Sequence, residues 1–138
     1  MAEISKKFHL KIITPGRTAF EGDVDMVIME TIDGQMGVLA GHEPVATVLG
    51  LGPLKVFSDF DVEHFAVFCG FANINQTDVV ILADVAEKAD EIDLIRAKEA
   101  KERAEERIRD HSASIDMMRA EVALRRSLVR LELGNVHK

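Results

Sequence analysis

Four arginines in the C-terminal third of this 138-residue chain have spacings that suit the binding of an anion. Arg96 and Arg103 are seven residues apart, so on a helix they lie on nearly one face, and Arg126 and Arg130 are four apart on a later segment. If the two segments pair as helices, four guanidiniums converge, and a guanidinium fork fits two phosphate oxygens at once. The competing reading is a pair of solvated helix faces with weak ion pairs. Residues 86–138 carry 12 basic and 12 acidic groups, and Glu99 stands four residues before Arg103.

Other reactive side chains are dispersed. His9, His42 and His64 fall in different segments without the close spacing of a metal site, and read as surface or sheet histidines. Asp23 and Asp25 are expected on one strand face, where they serve solubility rather than acid-base chemistry. The single cysteine, Cys69, rules out an internal disulfide and any thiolate zinc cluster built from this chain alone; following Phe68 in an apolar run, it reads as a small buried hydrophobe. There is no G-x-S-x-G elbow, no P-loop and no H-E-x-x-H, and the glycines of DGQMGVLAGH lack G-x-G-x-x-G spacing. Catalysis by this chain is therefore not expected. A net charge of −7 opposes nucleic acid and anionic lipid, and the opening MAEISKKFHL lacks the apolar core of a secretory signal, so a cytoplasmic or cytoplasm-facing location is expected.

The elements that must position these groups change character near Ala83. All three prolines, all seven phenylalanines and eight of the nine glycines precede that point, and residues 86–133 contain none of them. The acidity is also confined: residues 1–85 hold 5 basic and 12 acidic groups. Two modules are predicted, 1–85 and 86–138. In the first, Phe8, Leu10 and Ile12 alternate with His9 and Lys11 at the period of a half-buried strand, and Pro15-Gly16 ends the run. Similar runs at Val24 to Thr31, Leu54 to Phe57, His64 to Cys69, Phe71 to Asn75 and Val79 to Ala83 predict an antiparallel sandwich or flattened barrel.

The second module reads as two helices. Asp90 is the expected cap of the first, with Asp93 in its first turn, and Ala97, Ala100, Ala104 and Ile108 form a narrow stripe of mostly small side chains. After a polar break at His111 to Ser114, with Ser112 or Ser114 as cap, Met117, Ala120, Leu124, Leu128 and Leu131 supply the matching stripe. An antiparallel hairpin follows, held thinly because alanine buries little area.

Three stretches then agree in order and spacing: DGQMGVLAGHEPVAT, FCGFANINQTDVVILAD, and EIDLIRAKEAKERAEERI followed by AEVALRRSLVRL. Together they resemble the epsilon subunits of F-type ATP synthases. The family's loop usually reads G-E-L-G-I-L-P-G-H, matched at Gly34, Gly37, Leu39, Gly41 and His42, with Gln35 for the usual Glu and Ala40 for the usual Pro. Where the family has two glycines before a Phe, Cys69 takes the first place and Gly70 the second.

The resemblance implies a sandwich of about ten short antiparallel strands and a C-terminal helical hairpin. It implies a non-catalytic rotor subunit, peripheral on the cytoplasmic face of the inner membrane, between the gamma subunit and the c-subunit ring. The hairpin would extend into the alpha/beta catalytic head to inhibit ATP hydrolysis. The partner-contact residues are then Gln35, Met36, Gly37 and His42, Met36 offering an exposed apolar side chain in a turn-rich loop. An I-D-x-x-R-A motif that binds ATP in some members is matched by Ile92, Asp93, Arg96 and Ala97. By the same carry-over Glu87 and Asp93 face the adenosine, and Arg103, Arg126 and Arg130 the phosphates, with ATP a regulatory ligand and not a required cofactor. The alternative function is a free-standing nucleotide-sensing module with a mobile hairpin.

Overall fold

A computed structural model describes residues 6–110 and 116–136. Seven strands come first: β1 (Phe8–Ile13), β2 (Thr18–Val24), β3 (Met26–Thr31), β4 (Gly34–Leu39), β5 (Val45–Ser58), β6 (Asp61–Ile74) and β7 (Asp78–Lys88). A short 3-10 turn, Ala89–Glu91, leads to helices α1 (Leu94–Asp110) and α2 (Met117–Val136). The chain divides into two compact units, Met1–Lys88 and Ala89–Lys138.

The strands form one sheet in the order β2-β1-β7-β6-β5-β3-β4. Although β1 and β3 are separated by three strands in that order, Leu10, Ile12, Val27 and Met29 belong to one buried cluster. The sheet therefore curls over on itself into a sandwich, and Phe20 of the edge strand β2 meets Phe65 edge-to-face with ring centroids 5.9 Å apart.

Two details depart from expectation. Among the described residues there are seven strands and not about ten, because β5 and β6 run 14 residues each, so stretches read as separate short strands are continuous. The bend in β5 lies at Gly50 to Pro53, where the ladder to β3 jumps from Ile28↔Lys55 to Thr31↔Leu49. The pairing is also not wholly antiparallel, since β1 and β7 run parallel.

In the helical unit the first cap is Asp93 and not Asp90. The Arg96 amide donates to Asp93 Oδ1 at 3.1 Å, while Asp90 lies in the 3-10 turn. Asp116 caps α2 in the same way, its Oδ1 accepting the Arg119 amide at 3.1 Å; the proposed caps Ser112 and Ser114 lie outside the described residues. The buried stripe of α2 also shifts. Leu128 is exposed, and the buried residues of α2 among those described are Ala120, Ser127, Val129, Leu133 and Gly134; Ala120, Ser127 and Gly134 are each seven from the next, as are the buried Ala97 and Ala104 on α1. A Cβ on Gly134 would come within 2.4 Å of Leu94 Cδ2, so any larger residue there requires the Leu94 side chain to move.

Candidate functional site

On the outer face of the sandwich an apolar row crosses four strands in register. Ile13 on β1 pairs with Leu82 on β7, Leu82 with Phe71 on β6, and Phe71 with Val48 on β5. Phe71 is 61% exposed and Leu82 51%, so the row is open to water. A groove of about 620 Å³ runs along it, with Pro15, Cys69 and Asp84 completing its wall. Apolar side chains standing together on a rigid sheet, rimmed by a carboxylate, suit docking rather than chemistry.

Backbone geometry builds that groove. Cys69 has a φ of 55°, and both neighbouring ladders skip it, passing directly from Phe68 to Gly70. The register is the same on either side of it, so the strand keeps its alternation there, and Cys69 is exposed and not the buried hydrophobe expected from its apolar neighbours. Gly70 follows with no room for a side chain, since a Cβ there would lie 2.1 Å from the Leu82 carbonyl oxygen.

The expected partner residues lie on or beside an edge strand. Gln35, Met36 and Gly37 belong to β4 and not to a loop, with Gln35 and Gly37 exposed. Met36 is half-buried and packs against the core, because alternation along β4 turns it inward with Val38; the exposed apolar side chains of this hairpin are Ile32 and Leu39. His42 follows Gly41, whose φ is 85°, and its Nδ1 lies 2.7 Å from the Glu43 carbonyl oxygen.

The nucleotide candidates are spread over both units. Glu87 sits on β7, opposite Ala66. In the helical unit Ile92 and Ala97 are buried, Arg96 and Arg103 are exposed on one flank of α1, and Arg126 and Arg130 are half-buried on α2. Asp93 already accepts the Arg96 amide, so its carboxylate has a structural role at the helix start. Arg103 lines a shallow depression with Glu106, Arg107, Arg109 and Asp110 near the C-terminal end of α1.

Electrostatic clips brace the sandwich edge. His9 lies between two carboxylates of β2, Nε2 2.9 Å from Glu21 and Nδ1 3.1 Å from Asp23. The bonds to Glu21 and then Asp23 raise the His9 pKa, and His9 lowers that of Glu21. Asp25 falls in the bend between β2 and β3, off the face that Asp23 occupies, and accepts the Asp59 amide at 2.6 Å. That bond, followed by the one from Lys7, lowers its pKa.

Comparison with known proteins fits this arrangement over nearly the whole chain. The family model described as ATP synthase, Delta/Epsilon chain, beta-sandwich domain, matches residues 7–89, and that for the long alpha-helix domain matches residues 90–133. The chain belongs to the ATP synthase delta/epsilon family. It is 45% identical over 132 residues to an ATP synthase epsilon chain of Symbiobacterium thermophilum, covering 95% of this chain and 92% of the relative. It is 42% identical over 128 residues to that of Ruminiclostridium cellulolyticum, covering 93% and 96%. A chain in the Euglena gracilis mitochondrial ATP synthase, solved as OSCP/F1/c-ring in rotational state 1, superposes with a TM-score of 0.81 at 26% identity, covering 95% of this chain and 82% of that one. A chain of the Tetrahymena thermophila mitochondrial enzyme, with a TM-score of 0.60 at 14% identity, shares the fold.

As a member of this family the chain is a non-catalytic rotor subunit of an ATP synthase, as its three motifs implied. Membership decides against the free-standing sensor. Sequence reasoning missed the Ile13–Leu82–Phe71–Val48 row, because its residues come from four strands and only their register aligns them.

Proposed function

We propose that this rotor subunit binds the gamma subunit through the apolar row of its sandwich, with the side of the molecule bearing Gln35, Gly37 and His42 resting on the c-subunit ring. The observation that carries the reading is the in-register exposure of Val48, Phe71 and Leu82 around a groove on hydrogen-bonded strands of the sheet. A rotor joint must carry torque without slipping, which a grooved apolar seat on hydrogen-bonded strands does and a mobile loop does not. The subunit then sits peripherally on the cytoplasmic face of the membrane, and no helix among the described residues is long and apolar enough to cross it.

The hairpin supplies regulation. Small side chains, Ala97 and Ala104 on α1 and Ala120, Ser127 and Gly134 on α2, make up much of its buried row, and opening would free α2 to reach the alpha/beta head and slow ATP hydrolysis. ATP is the proposed ligand of the closed hairpin, with phosphates at Arg103, Arg126 and Arg130, flanked by Arg96, and its adenosine end towards Asp93. The decisive experiment is co-purification with gamma. Wild type should retain gamma and Phe71→Asp should lose it while keeping its circular dichroism; retention by the variant would refute the docking face.

A further inference from the structure

We propose that the tip of the β5–β6 hairpin is a second docking point, where Phe60 enters an apolar pocket of a protein partner in the assembly and Asp61 meets an arginine or lysine at that pocket's rim. The inference rests on the rotor reading for the identity of the assembly. Phe60 is 103% exposed, so its ring touches nothing in the described structure. A large apolar side chain at a flexible tip would fold back on its neighbours, but here the turn is braced.

Asp59, at a φ of 53°, donates its amide to Asp25 Oδ2 at 2.6 Å, and Lys7 Nζ bridges Asp25 and Asp59 at 3.1 and 3.0 Å. The bracing cation is thereby shared by two carboxylates. Asp61, directly after the ring, has no ion pair among the described residues. Beside the tip a hollow of about 410 Å³ has Met26, Leu39, Ala40 and Phe57 on its apolar side and Lys6, Asp25 and Asp59 on its charged side, and Leu39 is 59% exposed. A preorganised aromatic knob beside a hollow that is part apolar and part charged has the form of an interface hot spot, entered at little entropic cost.

Charge selects the partner class. Lys6 and Lys7 set against Asp25, Asp59 and Asp61 leave the tip with an excess carboxylate, Asp61, and this with the net charge of −7 disfavours an anionic lipid surface and a second copy of this chain, and favours a basic protein surface. Arginine fits best, because a guanidinium can pair with Asp61 and stack on the ring.

The test titrates N-terminally labelled full-length chain onto ATP synthase depleted of this subunit, at low and moderate salt. Phe60→Ala should keep the wild-type melting temperature and weaken binding by about tenfold or more. Asp61→Asn should slow association and flatten its salt dependence. A Phe60→Ala variant binding as wild type, or an Asp61→Asn variant with unchanged salt dependence, would overturn the proposal. Phe71→Asp run alongside separates the two readings: wild-type binding by that variant sinks the gamma-docking face, and the Phe60 result stands on its own.

Discussion

His9 shows how a surface residue acquires a pH signature. Its folded pKa lies above the ordinary 6.5, so its contribution is complete below that value and is lost as pH rises from there through the raised folded value. Glu21, lowered from 4.5, contributes above that value and loses its share as pH falls through its folded pKa. The clip between β1 and β2 is therefore strongest between these limits. A His9→Gln variant should abolish the part of the melting-temperature decline that wild type shows above pH 6.5, measured by thermal unfolding across pH; an identical profile would mean that the clip adds nothing. Cys69 illustrates a departure from the family motif with a cost. Its φ of 55° is one that glycine adopts freely, so Cys69→Gly should be neutral to about 1 kcal/mol stabilising in denaturant unfolding, strain relief being partly offset by added chain entropy.

At the scale of elements, caps and close approaches decide the helical unit. Asp93→Ala should lower its stability by about 1 kcal/mol, whereas Asp90→Ala should have little effect, a contrast readable by hydrogen exchange of α1 amides. The sequence reading placed the cap at Asp90, three residues early, because aspartate is a good N-cap residue at either position. The alternation in β1 was legible because its inner face is core and its outer face is water. The length of β5 was not, because Gly50, Gly52 and Pro53 read as a strand end, while in the fold they bend a continuous strand. Leu128 was misplaced because Ser127, the buried residue beside it, is polar and satisfies itself by donating to the Ala123 carbonyl oxygen at 2.8 Å. Gly70→Ala would force apart β6 and β7 at the groove; about 1 to 3 kcal/mol of destabilisation is expected in denaturant titration, together with weaker gamma binding.

For the whole molecule, the motifs disclosed the family, and the strand register aligned the row proposed as the docking face. In that proposal the sandwich supplies the seat and the hairpin a regulatory arm. If ATP favours the closed arm, millimolar ATP should raise the melting temperature of the wild-type chain, and Arg103→Ala should remove most of that shift. The central claim, that gamma seats on the Ile13–Leu82–Phe71–Val48 row, has a reporter already in place. Cys69, the single cysteine, is exposed in the groove wall, so its rate of maleimide labelling reads the occupancy of that groove without any substitution. The account predicts that saturating gamma slows Cys69 labelling severalfold or more, and that Phe71→Asp abolishes the protection; labelling at the same rate with and without bound gamma would contradict it.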